Sequence, residues 1–245
     1  MGGFLLSTEA HAAICAHALS AFPAEACGVI KGGAYVRCRN VAADRTQAFR
    51  IATRRLASLS PVEAIVHSHP GGPDCPSGDD MRQQVATAVP WVLVSTDGRG
   101  CLPPVVFGDG APIAPLVGRG FRHGVTDCYS VIRDAYRLER GIVLPEFPRD
   151  WEWWRNGADL YREGFSRAGF RRLAEGERQA PWDVFLAQTP KSPVPNHGGL
   201  YLGNGEILHH LTAKLPVDPT RLSCREPGSR WQTYVTHWLR YEAGR

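Results

Sequence analysis

The chain has 245 residues, enough for two domains of about 100–150 residues each. Its hydrophobic fraction of 43% is that of an ordinary globular protein, and its formal net charge of +4 comes from scattered Lys and Arg. That pattern lacks the clustered basic surface that phosphate tracking requires, so nucleic acid is not an expected partner; an anionic polymer such as a cell wall is compatible with it but not singled out.

In chain order, Ser7 is placed to cap a first helix over residues 8–22, with Ile14, Ala18 and Leu19 facing inward and Pro23 ending it. Strands are expected at 26–31 and 35–40 around the turn Gly32-Gly33, with a weaker strand at 48–51 and a helical turn at 54–59. A strand over 62–69 carries two histidines, a helix follows over 79–88, and short strands follow at 91–95 and 105–107. Residues 108–120, with Pro112, Pro115 and several glycines, read as a linker. Beyond it, Asp127-Cys128 opens a helix through about Glu139 whose apolar residues Val131, Ile132, Ala135, Tyr136 and Leu138 form a buried face. Trp151, Trp153 and Trp154 either seal a core or flank a groove, and 159–168 is a polar helical stretch. The end reads as an antiparallel sheet: strands at 182–188, at 197–202 and 206–211 as a hairpin around Gly203-Asn204-Gly205, and at 231–239.

Seven cysteines, an odd number with no CxxC pair, read as neither a disulfide framework nor a structural zinc ribbon, and fit folding in a reducing compartment. No apolar run approaches the ~20 residues of a membrane span. The N-terminus lacks a basic-then-apolar leader pattern, so synthesis as a soluble cytoplasmic chain is expected.

The sharpest chemical signal is AIVHSHPGGPDCPSGDD, from Ala64 to Asp80. On a strand, residues i and i+2 face one way, so His67 and His69 can both reach one ion. The Gly- and Pro-rich loop after them ends in Ser77-Gly78-Asp79-Asp80 at a helix start. Two histidines and one carboxylate leave a fourth position for water, as catalytic zinc sites do. Glu25, opening EACGVIKGG about forty residues upstream, is a candidate general base on that water. Asp79 reads as a helix N-terminal acid favoured by the macrodipole, and Cys75 as a bystander in the loop.

A second set of residues lies downstream. Cys128 falls at a helix start, where unpaired N–H groups and the dipole favour a thiolate. In NHGGLYLGNGEILHHL, His197 and His209 fall on the two strands of a hairpin and can be neighbours across it. His197 can then deprotonate Cys128 while His209 orients His197 through its other ring nitrogen. His210 is the alternative third member, but alternation places it on the opposite face.

The series Glu25, His67-Ser68-His69-Pro70, Ser77 and Asp80 resembles the signature of the JAB/MPN (JAMM) metalloproteases, over residues 1–110. The resemblance implies zinc held by His67, His69 and Asp80, Glu25 holding the nucleophilic water, and Ser77 stabilising the oxyanion. The Asp127-Cys128 helix start, the HxGxYLGNGxxxHH hairpin and Trp182-Asp183-Val184-Phe185 resemble the NlpC/P60 cysteine peptidases, over residues 120–245. This implies Cys128 as nucleophile, His197 as base and His209 as third member, acting on γ-D-glutamyl bonds of bacterial cell-wall peptides. One departure is Tyr129-Ser130 where that family usually has a small Ser-Gly pair, which bears on the width of the cleft.

The fold expected from these likenesses is two α+β (α/β-type) domains. One is a JAB/MPN fold over residues 1–110, with a mixed sheet and flanking helices. After a linker at 111–119 comes a papain-like NlpC/P60 fold over 120–245, with an antiparallel sheet. The two in this order, with DWEWW, ILHHL and SCREPGSRWQTYVTHWLRY, resemble the tail assembly protein K family of lambda-like bacteriophages along essentially the whole chain. That resemblance implies a tail-tip component made in the host cytoplasm and carried in the virion tail. Its zinc-dependent amide or isopeptide hydrolase would be joined to an endopeptidase for peptidoglycan stem peptides, and other tail-tip proteins would be its partners. The alternatives are an assembly factor in which one or both sites are structural, and a bacterial cell-wall endopeptidase.

Overall fold

The computed structural model describes residues 3–212 and 214–242. The chain divides into two compact units, Met1–Ile113 and Ala114–Arg245.

The first unit begins with α1 (Thr8–Ala21), whose N-terminus is capped by Ser7 Oγ accepting the Ala10 N–H at 3.1 Å. There follow β1 (Cys27–Lys31), β2 (Ala34–Cys38), α2 (Thr53–Leu59), β3 (Ala64–Pro70), α3 (Gly78–Thr87), β4 (Trp91–Thr96) and β5 (Val105–Phe107). The five strands form one sheet in the order β2-β1-β3-β4-β5, in which only the β3–β4 pair is parallel. The expected strand at 48–51 contributes only an isolated bridge between Asn40 and Ile51.

Strand pleating sorts this sheet into two faces. Ile30, Ala64, Val66, Val92 and Val94 point one way and bury the Ala10–Ile14–Ala18 stripe of α1. Residues of opposite parity, Cys27 on β1, His67 and His69 on β3 and Trp91 and Leu93 on β4, lie on the other face. Gly28 is needed in this layer, because a Cβ there would lie 2.4 Å from the Tyr35 ring and 2.5 Å from the Val36 carbonyl oxygen.

The second unit contains β6 (Gly120–Arg122), α4 (Cys128–Arg140), a 3₁₀ turn (Trp153–Asn156), α5 (Leu160–Gly164), β7 (Phe170–Arg172) and β8 (Val184–Ala187). Then come β9 (His197–Gly203), β10 (Glu206–His209), β11 (Val217–Leu222), β12 (Cys224–Pro227), a second 3₁₀ turn (Gly228–Trp231) and β13 (Val235–Tyr241). An antiparallel sheet runs β12-β10-β9-β8-β13-β7, and β11 pairs separately with β6.

Helix α4 buries Val131, Ile132, Ala135 and Tyr136 against Leu186, Leu200 and Leu208 of the sheet. Leu138, expected in that face, is 54% exposed. It sits in the last turn of α4, at the margin of the buried stripe. The β9–β10 hairpin closes through Asn204-Gly205, both at positive φ (52° and 78°), which is the turn geometry that matches strand twist.

The last strand starts at Val235 rather than at Trp231, because Pro227-Gly228-Ser229 turns the chain and Trp231 ends a 3₁₀ turn. The polar helical stretch contracts to Leu160–Gly164. Among the described residues no helix is long and apolar enough to cross a membrane.

Candidate functional site

The first constellation is built by the sheet and α3. Pleat parity aims His67 and His69 to one side of β3, and their Nε2 atoms lie 3.2 Å apart. His67 Nε2 is 3.2 Å from Asp80 Oδ1, and His69 Nε2 is 3.3 Å from Asp80 Oδ2. A tetrahedral ion with bonds of about 2.0–2.1 Å has ligand atoms roughly 3.3–3.4 Å apart, so this donor set fits a metal of the zinc type. Asp80 is placed by a capping box. Ser77 Oγ accepts the Asp80 N–H at 3.1 Å, and the Ser77 N–H donates to Asp80 Oδ2 at 2.8 Å.

The rings are fixed from behind. His67 is stacked on Phe49 with centroids 4.8 Å apart and meets the edge of Trp91 at 5.5 Å, while His69 Nδ1 pairs with the Pro73 carbonyl at 3.0 Å. Burial outweighs the pull of Asp80 and lowers the proton affinity of His67, keeping it in the neutral form that ligates metals. Glu25 lies just before β1; with Ser68 Oγ accepting the Ala26 N–H at 2.8 Å and Cys27 opposite His67, it continues the ladder toward His69. Its carboxyl is buried and pushed up to about 7, by burial first, against the pull of His69 and with a further rise from Asp80.

Ser77 sits differently from a free donor, since its hydroxyl donates to Asp80 Oδ2 at 2.7 Å. Asp79 faces solvent and bonds Arg82 and Gln83, and Cys75 is buried in the loop outside the His–His–Asp group.

The second constellation borders a cleft of about 500 Å³ in the C-terminal unit, lined in part by Cys128, Trp151, Trp154, Tyr161 and His197. Cys128 is the first residue of α4, and Asp127 caps that helix by accepting the Ser130 N–H at 2.9 Å. The other Asp127 oxygen takes the Gly124 N–H at 2.8 Å, and Arg149 clamps the same carboxylate at 2.8 Å. Burial works to raise the Asp127 pKa, but Arg149, His123 and these backbone donors outweigh it and hold the carboxyl well below its usual range.

The helix-start advantage expected for the Cys128 thiolate is opposed by its surroundings. Burial and then the Asp127 charge push the thiol up to about 11, against hydrogen bonds from Tyr161 and the Gly198 N–H. The Tyr161 hydroxyl is 3.2 Å from Cys128 Sγ.

His197 Nε2 and His209 Nδ1 are 3.0 Å apart, a diagonal contact across the hairpin in which His209 stands opposite Gly199. Gly199 makes room for it, since a Cβ there would come within 2.8 Å of His209 Cβ and 2.7 Å of the Leu208 carbonyl oxygen. Trp231 covers the His197 ring at 4.7 Å. Burial lowers the proton affinity of both rings. His210 points elsewhere, its Nε2 2.8 Å from the Arg221 carbonyl and its ring edge-on to Phe121.

Three neighbours were not anticipated from sequence: Phe49 behind His67, Tyr161 beside Cys128, and Glu226, whose Oε1 is 2.7 Å from His209 Nε2. No local spacing marks them, because each reaches its site from a separate loop, short helix or strand.

Comparison with known proteins agrees with this two-unit arrangement. Residues 7–103 match the family model of prokaryotic homologs of the JAB domain, and residues 118–239 match that of the NlpC/P60 family. The tail tip assembly protein K of Escherichia phage lambda is 40% identical over 185 residues, covering 75% of this chain and 84% of that protein. Its counterpart from Escherichia phage N15 is 31% identical over 240 residues, covering 94% and 93%. Among solved structures, the NlpC/p60 domain of the peptidoglycan hydrolase SagA matches 50% of this chain and 89% of its own at 15% identity and a TM-score of 0.30, too loose a likeness to argue from. With a JAB-like unit followed by an NlpC/P60 unit and identity to both phage proteins along most of its length, the chain belongs to the tail tip assembly protein K family.

Proposed function

We propose that this chain is a two-site hydrolase of the phage tail tip, working beside other tail proteins and carried in the virion. Its N-terminal unit, taken as residues 1–110, hydrolyses an amide or isopeptide bond with zinc. Its C-terminal unit, taken as 120–245 after a linker at 111–119, cleaves peptidoglycan stem peptides with a thiol. The observations that support the reading are the donor group His67, His69 and Asp80 in one unit and, in the other, Cys128 and His197 lining one cleft, with His209 bonded to His197 behind it.

In the N-terminal site His67, His69 and Asp80 are the ligands. A bound zinc ion supplies Lewis acidity, which makes water a nucleophile near neutral pH and polarises the carbonyl. Glu25, with its carboxyl near pH 7, accepts the proton of the attacking water and returns it to the leaving nitrogen. Ser77 is assigned to the developing oxyanion, at the expense of its bond to Asp80.

In the C-terminal site the thiol proton of Cys128 passes to His197 as sulfur attacks the carbonyl carbon. The C–N bond then breaks, and the amine leaves with the proton from His197. Water, deprotonated by the same imidazole, releases the acyl group from sulfur. Tyr161 donates to the thiolate formed in the first step. Burial opposes charge on both the thiol and the His197 ring, and the reading therefore puts proton transfer within the attack rather than before it. The aromatic wall of Trp151 and Trp154 gives the cleft an apolar floor, and Arg155, Lys191 and Lys214 on its border suit the carboxylates of an acidic stem peptide.

Mass spectrometry of purified peptidoglycan treated with wild-type, Glu25→Ala and Cys128→Ala proteins tests this. Stem-peptide cleavage is expected from the wild type and Glu25→Ala and is expected to vanish in Cys128→Ala. Cleavage that persists in Cys128→Ala and disappears in Glu25→Ala reverses the assignment of reactions to domains. No cleavage by any of the three leaves an assembly role as the better reading of the C-terminal unit.

A further inference from the structure

Behind the histidine pair lies a carboxylate whose bonds run one way. Strand β12 places Glu226 opposite Ile207 of β10, and the side chain reaches diagonally to His209, Oε1 to Nε2, at 2.7 Å. The same oxygen accepts the indole N–H of Trp231 at 2.6 Å, and Oε2 faces Arg230 at 3.2 Å. The Glu226 side chain is 19% exposed, and that of His209 is 5% exposed.

An indole nitrogen only donates and an ionised carboxylate only accepts. Trp231 and Arg230 therefore keep Glu226 an acceptor, and His209 Nε2 must carry its hydrogen. In a neutral ring this leaves His209 Nδ1 as a lone pair. The atom 3.0 Å from it, His197 Nε2, must then be the donor. That in turn leaves Nδ1 of His197 as the only basic atom of its ring.

We propose that Glu226 is a positioning residue of the thiol site: through His209 it fixes the tautomer in which Nδ1 of His197 is free to take the Cys128 proton. The inference rests on the reading of Cys128 and His197 as nucleophile and base. Once His197 holds that proton it is an imidazolium hydrogen-bonded to His209, and Glu226 supplies the balancing charge at the far end of the relay. Burial, the largest influence on both rings, keeps them neutral at rest, so the relay is set before the proton moves. The other groups facing it are His210, Cys224, whose sulfur is 3.7 Å from His209 Nε2, and Arg230; on the nucleophile's side they are Asp127, Tyr161 and Arg149.

The test uses the full chain and two readouts that need no substrate. Histidine ¹⁵N spectra should show the Nε2–H tautomer at both His197 and His209 in the wild type, and lose it at one or both in Glu226→Gln, which has nearly the same shape. Iodoacetamide labelling mapped by peptide mass should follow Cys128 separately from Cys224 across pH. Glu226→Gln and Glu226→Ala should slow Cys128 labelling at pH 7 by at least about tenfold and move its midpoint upward, with partial recovery in Glu226→Asp. Loss of tautomer control in the analogous serine triad costs ~10⁴ in rate, so tenfold is a low threshold.

Wild-type tautomers and an unchanged Cys128 profile in a folded Glu226→Gln protein overturn the proposal. A Cys128 labelling rate that His197→Ala leaves unchanged instead overturns the underlying reading of the thiol site, while the histidine spectra still decide what Glu226 does.

Discussion

Asp80 carries two duties with one side chain. It closes the cap of α3 through Ser77 and offers an oxygen to each of the two histidine nitrogens. The duties can be separated. Asp80→Asn keeps an oxygen that can accept the Ser77 N–H but loses the charge a metal requires. Ser77→Ala loses the cap hydroxyl, at about 1 kcal/mol of stability, and leaves the three donors in place. Wild-type protein should therefore carry about one zinc per chain. Ser77→Ala should carry the same amount with a lower melting temperature, and Asp80→Asn and His67→Ala should carry almost none. Metal analysis after dialysis, alongside thermal unfolding, reads both quantities. Metal-free wild type, or an Asp80→Asn protein loaded like wild type, removes the metal assignment.

At the scale of elements, the features legible in the sequence were those with a strong local period or turn chemistry. Ser7 marked the start of α1, alternation in β3 put His67 and His69 on one face, the stripe of α4 followed Cys128, and Asn204-Gly205 joined the β9–β10 hairpin. Strands β11 and β12 escaped because VDPTRL and CREP carry proline and charge without an apolar alternation. Glu226, which stands behind His209 on β12, escaped with them. Tyr161 escaped because a five-residue helix has too little period to show which way it faces.

These elements also set an acid limit. His123, His197, His209 and His210 all sit buried in the C-terminal unit, and burial lowers the proton affinity of each. Because the unfolded chain binds protons at these rings more readily, their contribution to stability is complete above about pH 6.5 and drains away as pH falls below it. Asp127, held low by Arg149 despite burial, keeps its contribution until pH drops below about 4 and then loses it. Tryptophan fluorescence is suited to the measurement, since every tryptophan except Trp91 lies in this unit. The melting temperature of that signal should fall between pH 7 and 5 and fall again below pH 4. A flat profile from pH 7 to 5 contradicts the burial of neutral imidazoles described for the site.

At the scale of the molecule, the two hydrolytic chemistries proposed for the chain share no group. The N-terminal donors come from β3 and the start of α3, and the C-terminal ones from α4 and the β9–β10 hairpin, in separate compact units. A zinc ligand set and a thiol with an imidazole base also respond to different reagents. Zinc is stripped from its protein ligands by a chelator, whereas a thiol is alkylated whether or not metal is present. The expectation for the full chain is a double dissociation. A zinc chelator should empty the His67–His69–Asp80 site and leave both Cys128 labelling and stem-peptide cleavage at wild-type rates. Iodoacetamide should abolish that cleavage while the bound zinc stays in place. If the chelator also lowers the Cys128 labelling rate several-fold, the metal supports the thiol site's geometry, and the two units act as one enzyme with a metal-dependent fold instead of two hydrolases on one chain.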